Sequence, residues 1–185
     1  MVNTSLIPRR SWIEEKDLDA PRLIEVRQVW DVWRDGHHLP TWSIDRLLDL
    51  DLSLLPFTAV VVKRSDGSGN EYIYWGSALT GIFGDDLTGK APGILHKYPQ
   101  FDQGGTSYDV NFEEGRPRYL VTKFLTSTGQ AGLQLCIRLP FGVEGAVDHV
   151  LSIALFNGPH GIDMWNSATA IYLLAQQMSL EGEEI

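Results

Sequence analysis

The stretch Val147–Phe156, VDHVLSIALF, constrains the fold more than any other part of the chain. Val147, Leu151, Ile153 and Leu155 alternate with Val150, Ser152, Ala154 and Phe156, so a strand here is largely apolar on both faces. A strand with one wet face would alternate apolar with polar residues. The sheet that contains this strand must therefore be covered on both sides. One cover is at hand in Pro21–Asp35, where Leu23, Val26, Trp30 and Trp33 recur at three- and four-residue steps up to Gly36. Pro21 suits a first helical turn, and a second apolar set, Ile24, Val29 and Val32, widens the surface this helix can bury.

Four further strands are expected. Phe57–Lys63 is dense in β-branched residues, and the turn Ser65–Gly69 returns it into Tyr72–Trp75 as an antiparallel hairpin. Tyr119–Thr126 and Gly132–Leu139 precede the two-faced strand, separated by Ser127-Thr128-Gly129 and by Gly142–Gly145. In the second of these Leu133, Leu135, Ile137 and Leu139 share one face, while Gln134, Cys136 and Arg138 share the other. Short helices are expected after Ser43, from Ser77 to Phe83 with Ser77 as cap, and from Ala91 to Tyr98. Residues 100–115, rich in Gly, Asp and Gln, receive no assignment. A last helix carries Ala168, Ile171, Tyr172, Ala175 and Met178 and frays into Glu181–Glu184.

Several strings within this pattern resemble one family of PAS sensory domains, found mostly in proteobacteria as single-domain proteins. They are Trp75-Gly76-Ser77-Ala78-Leu79, Gly84-Asp85-Asp86-Leu87-Thr88-Gly89, Leu139-Pro140-Phe141-Gly142 and Val147-Asp148-His149-Val150-Leu151, with Trp33, Leu39-Pro40 and Ser43-Ile44-Asp45 upstream. The resemblance spans roughly Pro21 to Phe156. It implies an α+β fold: a PAS-like five-stranded antiparallel sheet with short helices on one face, plus flanking N-terminal and C-terminal helices. Residues 1–20 are then an N-terminal arm, 21–157 the domain with its flanking helix, and 158–185 the C-terminal helix and acidic tail.

The resemblance also implies where a ligand would sit, between the short helices and the sheet. The residues expected to line that space are Trp75, Phe83, Leu87, Leu95, Phe124, Leu135, Ile137 and Ile153, and the alternative is that they only fill the core. Flanking helices of such proteins commonly pair, so Leu23, Val26, Trp30 and Trp33 are expected at a homodimer interface, the alternative being that the helix lies on its own domain. The implied function is a sensory or regulatory module acting on an unidentified signalling protein, with a possible small-molecule ligand. A ligand-free interaction module and a small enzyme with a cone-shaped pocket are the competing readings.

No catalytic motif is present, so no enzyme activity is expected. Gly76-x-x-x-x-Gly81 lacks the Lys-Ser/Thr of a phosphate cradle, and the pair Asp85-Asp86 is better placed to cap a helix than to do acid–base chemistry. His37-His38 are loop neighbours without further ligands at a recognisable spacing, so no metal is expected. The cofactor stays unknown. His96 alone is a weak haem ligand, and Cys136 sits in a strand outside any Asn-Cys-Arg-Phe-Leu string, which leaves haem and flavin disfavoured and Cys136 a small buried hydrophobe. A net charge of −9 argues against a phosphate-backbone partner. No stretch has the length or apolarity of a membrane span or signal peptide, and the single cysteine fits a reducing cytoplasm.

Overall fold

A computed structural model of the chain describes residues 11–97, 108–125, 131–158 and 162–165. The expected C-terminal helix and the turn at Ser127–Gly129 lie outside the described residues. Within them, β2 at Thr58–Lys63 and β3 at Asn70–Trp75 make the expected hairpin. The chain then passes through two short helices, α2 at Ser77–Phe83 and α3 at Asp109–Glu114, with a six-residue 3-10 helix at Pro92–Lys97 between them. Three strands follow, β4 at Arg118–Leu125, β5 at Ala131–Val143 and β6 at Ala146–Gly158. Every pairing is antiparallel, and the spatial order β4-β5-β6-β2-β3 places the hairpin beside the last long strand. This is the PAS-like α+β arrangement that the sequence resemblance implies.

The arm expected at residues 1–20 contributes more than an arm in its described part. Ser11–Ile13 is a strand, β1, paired with β4 at Ser11–Val121, Trp12–Leu120 and Ile13–Tyr119. Ile13 is buried, and the Tyr119 hydroxyl donates to the Glu15 carboxylate at 2.9 Å, which holds the following turn against the sheet. A short strand β7, Ile162–Asp163, pairs with the end of β6.

Helix α1, Pro21–Arg34, forms where expected, with Pro21 in its first turn and Asp35 and Gly36 in left-handed backbone at its end. Leu23, Val26, Trp30 and Trp33 are all buried against the sheet of the same chain. Trp30 Nε1 donates to the Pro140 carbonyl of β5 at 2.9 Å, and the Trp33 ring tilts against Phe141 at 5.8 Å. These four side chains face inward, so the expectation that they form a dimer interface is corrected: a second copy could not reach them. The need to cover both faces of β6 decides their orientation, since an apolar sheet face left wet would cost about 25 cal/mol per Å².

The hairpin between β5 and β6 is tight, with Glu144 at φ 53 and Gly145 at φ 85 in a two-residue loop. Both glycines of the resemblance strings that abut a strand are forced by close approach. A Cβ on Gly76 would lie 2.2 Å from the Pro56 carbonyl oxygen, and one on Gly142 1.8 Å from that of Ala146. Ser77, expected as the cap of α2, is instead its first residue. Gly76 takes the cap position without a side-chain bond and donates its N–H to the Thr58 carbonyl at 2.8 Å.

Gly76→Ala will therefore destabilise the fold by about 1–3 kcal/mol, the usual cost of overpacking against atoms that cannot yield. Gly81→Ala, in an exposed turn of α2 with nothing within 4 Å, will stabilise it by about 0.5–1 kcal/mol. Urea unfolding of the two variants beside the wild type measures both signs.

Candidate functional site

Alternation along the strands sorts the sheet into two faces. Tyr119, Val121, Leu135, Ile137, Leu139, Phe141, Leu151, Ile153 and Leu155 lie on the face that α1 covers, in register across β4, β5 and β6. The other face carries Leu120, Cys136, Arg138, Val150, Ser152, Ala154 and Phe156, and the short helices cover it. Phe83 of α2 meets Phe156 there, and α3 brings Asn111 to Arg138.

This division corrects three of the eight expected lining residues. Trp75, Phe83 and Leu87 are buried on the side of the short helices, as expected. Leu135, Ile137 and Ile153 are on the opposite face, under α1, and cannot line a site beneath the helices. The side chains of Leu95, Phe124 and His96 lie outside the described residues. Sequence reasoning missed Tyr72, Tyr108, Asn111, Arg138 and Ser152, which take the places of the expected aliphatic residues.

A β-bulge assembles part of this set. Pairing between β2 and β3 shifts between Val60 and Val61, so Val60 faces Tyr74 while Val61 faces Tyr72. The extra residue, Ile73, is exposed, and Tyr72 and Trp75, three apart, come to the same face with their rings 4.9 Å apart. From there polar contacts run across the sheet. The Tyr108 ring lies 6.2 Å from Tyr72, its hydroxyl accepts from Ser152 Oγ at 3.1 Å, and the Arg138 guanidinium stacks over it at 4.1 Å. Arg138 Nη1 donates to Asn111 Oδ1 at 3.3 Å. Arg138 is only 4% exposed and Asn111 fully buried.

Electrostatics here follow from burial. Desolvation holds the Tyr72 phenol neutral, well above its ordinary range, and pushes the Cys136 thiol up as well, against a smaller opposing pull from Arg138. Tyr72 is thus a hydrogen-bonding group at any working pH and no proton shuttle. Cys136 donates weakly to the Ile137 carbonyl at 3.4 Å and behaves as the small buried residue expected. Trp75 Nε1, Asn111 Nδ2 and Gln134 Oε1 are buried in this layer without a hydrogen-bond partner. At the edge of the layer Glu114 closes α3, binding Arg116 Nε at 2.6 Å and Arg118 Nε at 3.0 Å.

The remaining candidates sit outside this layer. His37 and His38 follow α1 and are exposed, and among the described residues no three ligating side chains gather as a metal site. Asp86 accepts from the Thr88 N–H at 2.9 Å, a turn cap. No helix among the described residues is long and apolar enough to cross a membrane.

Two measurements test this geometry. Hydrogen bonds from Arg118 and Arg116 draw the Glu114 carboxyl down to about 2 from an ordinary value of 4.5. Its contribution to stability is therefore present above about 4.5 and lost as pH falls toward 2, and Glu114→Gln will flatten the pH dependence of unfolding in that window. Cys136 will resist a thiol reagent in the native protein and react fully in denaturant. Rapid native modification would show that the layer over Cys136 opens.

No family model matches the chain, and no curated protein does. Among solved structures, an RNA-binding light-oxygen-voltage receptor aligns at 16% identity and a TM-score of 0.45 over 78% of this chain, which spans 41% of the receptor. The PAS domain of a protein from Colwellia psychrerythraea aligns at 18% identity and a TM-score of 0.40, over 58% of this chain and 94% of that domain. A fungal LOV domain photoreceptor aligns at 8% identity and 0.41, over 71% and 89%. By its own strand order, its two short covering helices and the strings Trp75–Leu79 and Gly84–Gly89 at their expected places, the chain has the fold of a PAS domain.

Proposed function

We propose that the chain is a sensory or regulatory module that holds a small molecule between its short helices and its sheet. Occupancy of that layer would pass to an unidentified signalling partner as a change in association. The observation that carries this reading is the polar lining of the layer: Arg138, Asn111, Tyr72, Tyr108 and Ser152 are buried where a simple core would be aliphatic. Burying a guanidinium is costly even when it is bonded, and a module that only docks on a protein gains nothing from it. No catalytic role is assigned, because the phenol and thiol of the layer are held neutral by burial. One buried, unpaired cysteine suits the reducing cytoplasm we propose for it.

A second reading, a ligand-free interaction module, draws on the apolar residues that the N-terminal segment leaves outward: Val32, Ile44, Leu48 and Leu52 are all exposed. If the module forms a homodimer, residues of this outward kind would mediate it in place of the buried stripe of α1.

Native mass spectrometry of the freshly purified protein, beside its denatured mass and a visible absorbance scan, separates the two. The ligand reading predicts excess mass that is lost on denaturation. A visible band would identify haem or flavin, and its absence a colourless metabolite. An unadorned native mass would move the assignment to the interaction module, and the same spectrum reports whether the chain is dimeric.

A further inference from the structure

The outward side of α1 narrows the partner, on the reading that the module acts by association. Two short helices, Ile44–Asp49 and Leu52–Phe57, run alongside α1. Near the end of α1, Trp33 donates to Asp49 and the Arg46 guanidinium lies over the same indole at 5.4 Å, while in its first turn Arg22 binds Asp51 at 2.9 Å. The two short helices thus follow α1 back toward its start, over about three turns. Beside this seam Glu25 and Val32 stand about two turns apart on one exposed stripe of α1. Across it Ile44, Leu48 and Leu52 are exposed on the short helices, and Val32 and Leu48, at 76% and 70%, are left almost wholly to water by their own chain. Single exposed apolar residues are ordinary, but these belong to elements tied to one another.

Charge says what could cover them. Arg22 is committed to Asp51, Arg27 and Arg34 to Asp31, and Arg46 donates to the Thr41 carbonyl. Glu25, Asp45 and Asp49 are exposed and have no cationic partner among the described residues. The whole chain carries −9, so a second copy meeting this face about a two-fold axis would set the same carboxylates against their own copies. A nucleic-acid backbone or an anionic lipid surface would be repelled in the same way. The face is built of helices, which offer no free sheet edge for an added strand, so a helix laid along the seam is the fit that remains. We propose that a basic amphipathic helix of a protein partner docks here, its apolar side chains on Val32, Ile44 and Leu48 and its Lys or Arg side chains on Glu25, Asp45 and Asp49.

The probes are a Leu/Lys peptide of about 18 residues, apolar at helical spacing, and its Leu/Glu counterpart. Fluorescence anisotropy measures each against the wild type and four variants. Glu25→Lys and Leu48→Gln alter the face, while Glu113→Lys and Val143→Gln make like changes at exposed positions outside it. All four positions are exposed, so the variants should keep the wild-type Tm. The Leu/Lys peptide should bind the wild type, Glu25→Lys and Leu48→Gln should each weaken it by about tenfold, and the two controls should stay within about twofold. The Leu/Glu peptide should not bind.

Equal weakening by Glu113→Lys, or binding untouched by Leu48→Gln, would reduce the effect to attraction by net charge and overturn the site. Dimerisation in light scattering that Leu48→Gln abolishes would give the face to a second copy. Binding to phosphatidylserine vesicles that the same variant abolishes would give it to a lipid surface, and either result overturns a basic protein partner. If neither peptide binds while native mass spectrometry retains a small molecule, the docking inference falls and the sensory reading stands. If the Leu/Lys peptide binds as expected and the native mass is unadorned, docking stands and the sensory reading yields to the interaction module.

Discussion

The guanidinium of Arg138 is the group around which the short-helix side of this protein is organised. It lies mid-strand in β5, opposite Ser152 of β6, with Asn111 accepting one of its N–H bonds and the Tyr108 ring under its plane. A charge so far from water is tolerable only where acceptors and π faces replace its hydration. Helix α3 is too short to be stable alone, and its place is set by what it brings to Arg138. Glu114, at its end, repeats the arrangement at the surface with Arg116 and Arg118. Two sets of arginine contacts, one buried and one exposed, thus seat six residues of helix on the sheet.

On the other face the forces are of a different kind. Helix α1 offers Leu23, Val26, Trp30 and Trp33 to Leu135, Ile137, Leu139 and Phe141, and the one directional bond at its centre is from Trp30 to Pro140. Apolar burial carries that layer, and the hydrogen bond fixes its register. The same helix cannot then present its stripe to a second copy. What remains outward is Val32 with Ile44 and Leu48 of the expected short helix Ile44–Asp49, which Ser43 caps by accepting from the Asp45 N–H, and Leu52 of the next short helix, Leu52–Phe57. Trp33 Nε1 adds a bond to Asp49, tying the first of these short helices to α1.

Much of this was legible in the sequence, and the failures have definite causes. The two-faced strand demanded two covers, α1 could be placed as one of them, and five strands and α2 stand where their residue patterns put them. Alternation showed that Leu135 and Ile137 share a face and that Cys136 and Arg138 share the other, but a period of two cannot say which layer meets which face. The more apolar set was therefore assigned to the ligand side. A signal was available: if β6 is covered on both faces, its neighbour β5 is covered on both as well, and Arg138 has to be buried. Helix α3 escaped notice because its buried position is Asn111, and a search for apolar periodicity passes over a helix whose inward residue is polar. The bulge at Val60–Val61 is a third case, since strict alternation puts Tyr72 and Trp75 on opposite faces.

The two faces are not mechanically separate, and this bears on how a change on one side of the sheet could reach the other. Arg138 and Ile137 are adjacent on one strand, about 3.3 Å apart along it, with the first among the short helices and the second under α1. Both residues are buried, so a displacement of β5 that repositions the guanidinium also moves Ile137 on the face that α1 covers. The bond from Trp30 to the Pro140 carbonyl, two residues past Arg138, couples the helix to the same stretch of backbone. A change at Arg138 can therefore reach α1 through a single strand, without a relay of intervening side chains. The surface that changes would be the outward side of α1 and the short helix Ile44–Asp49, which expose Val32, Ile44 and Leu48.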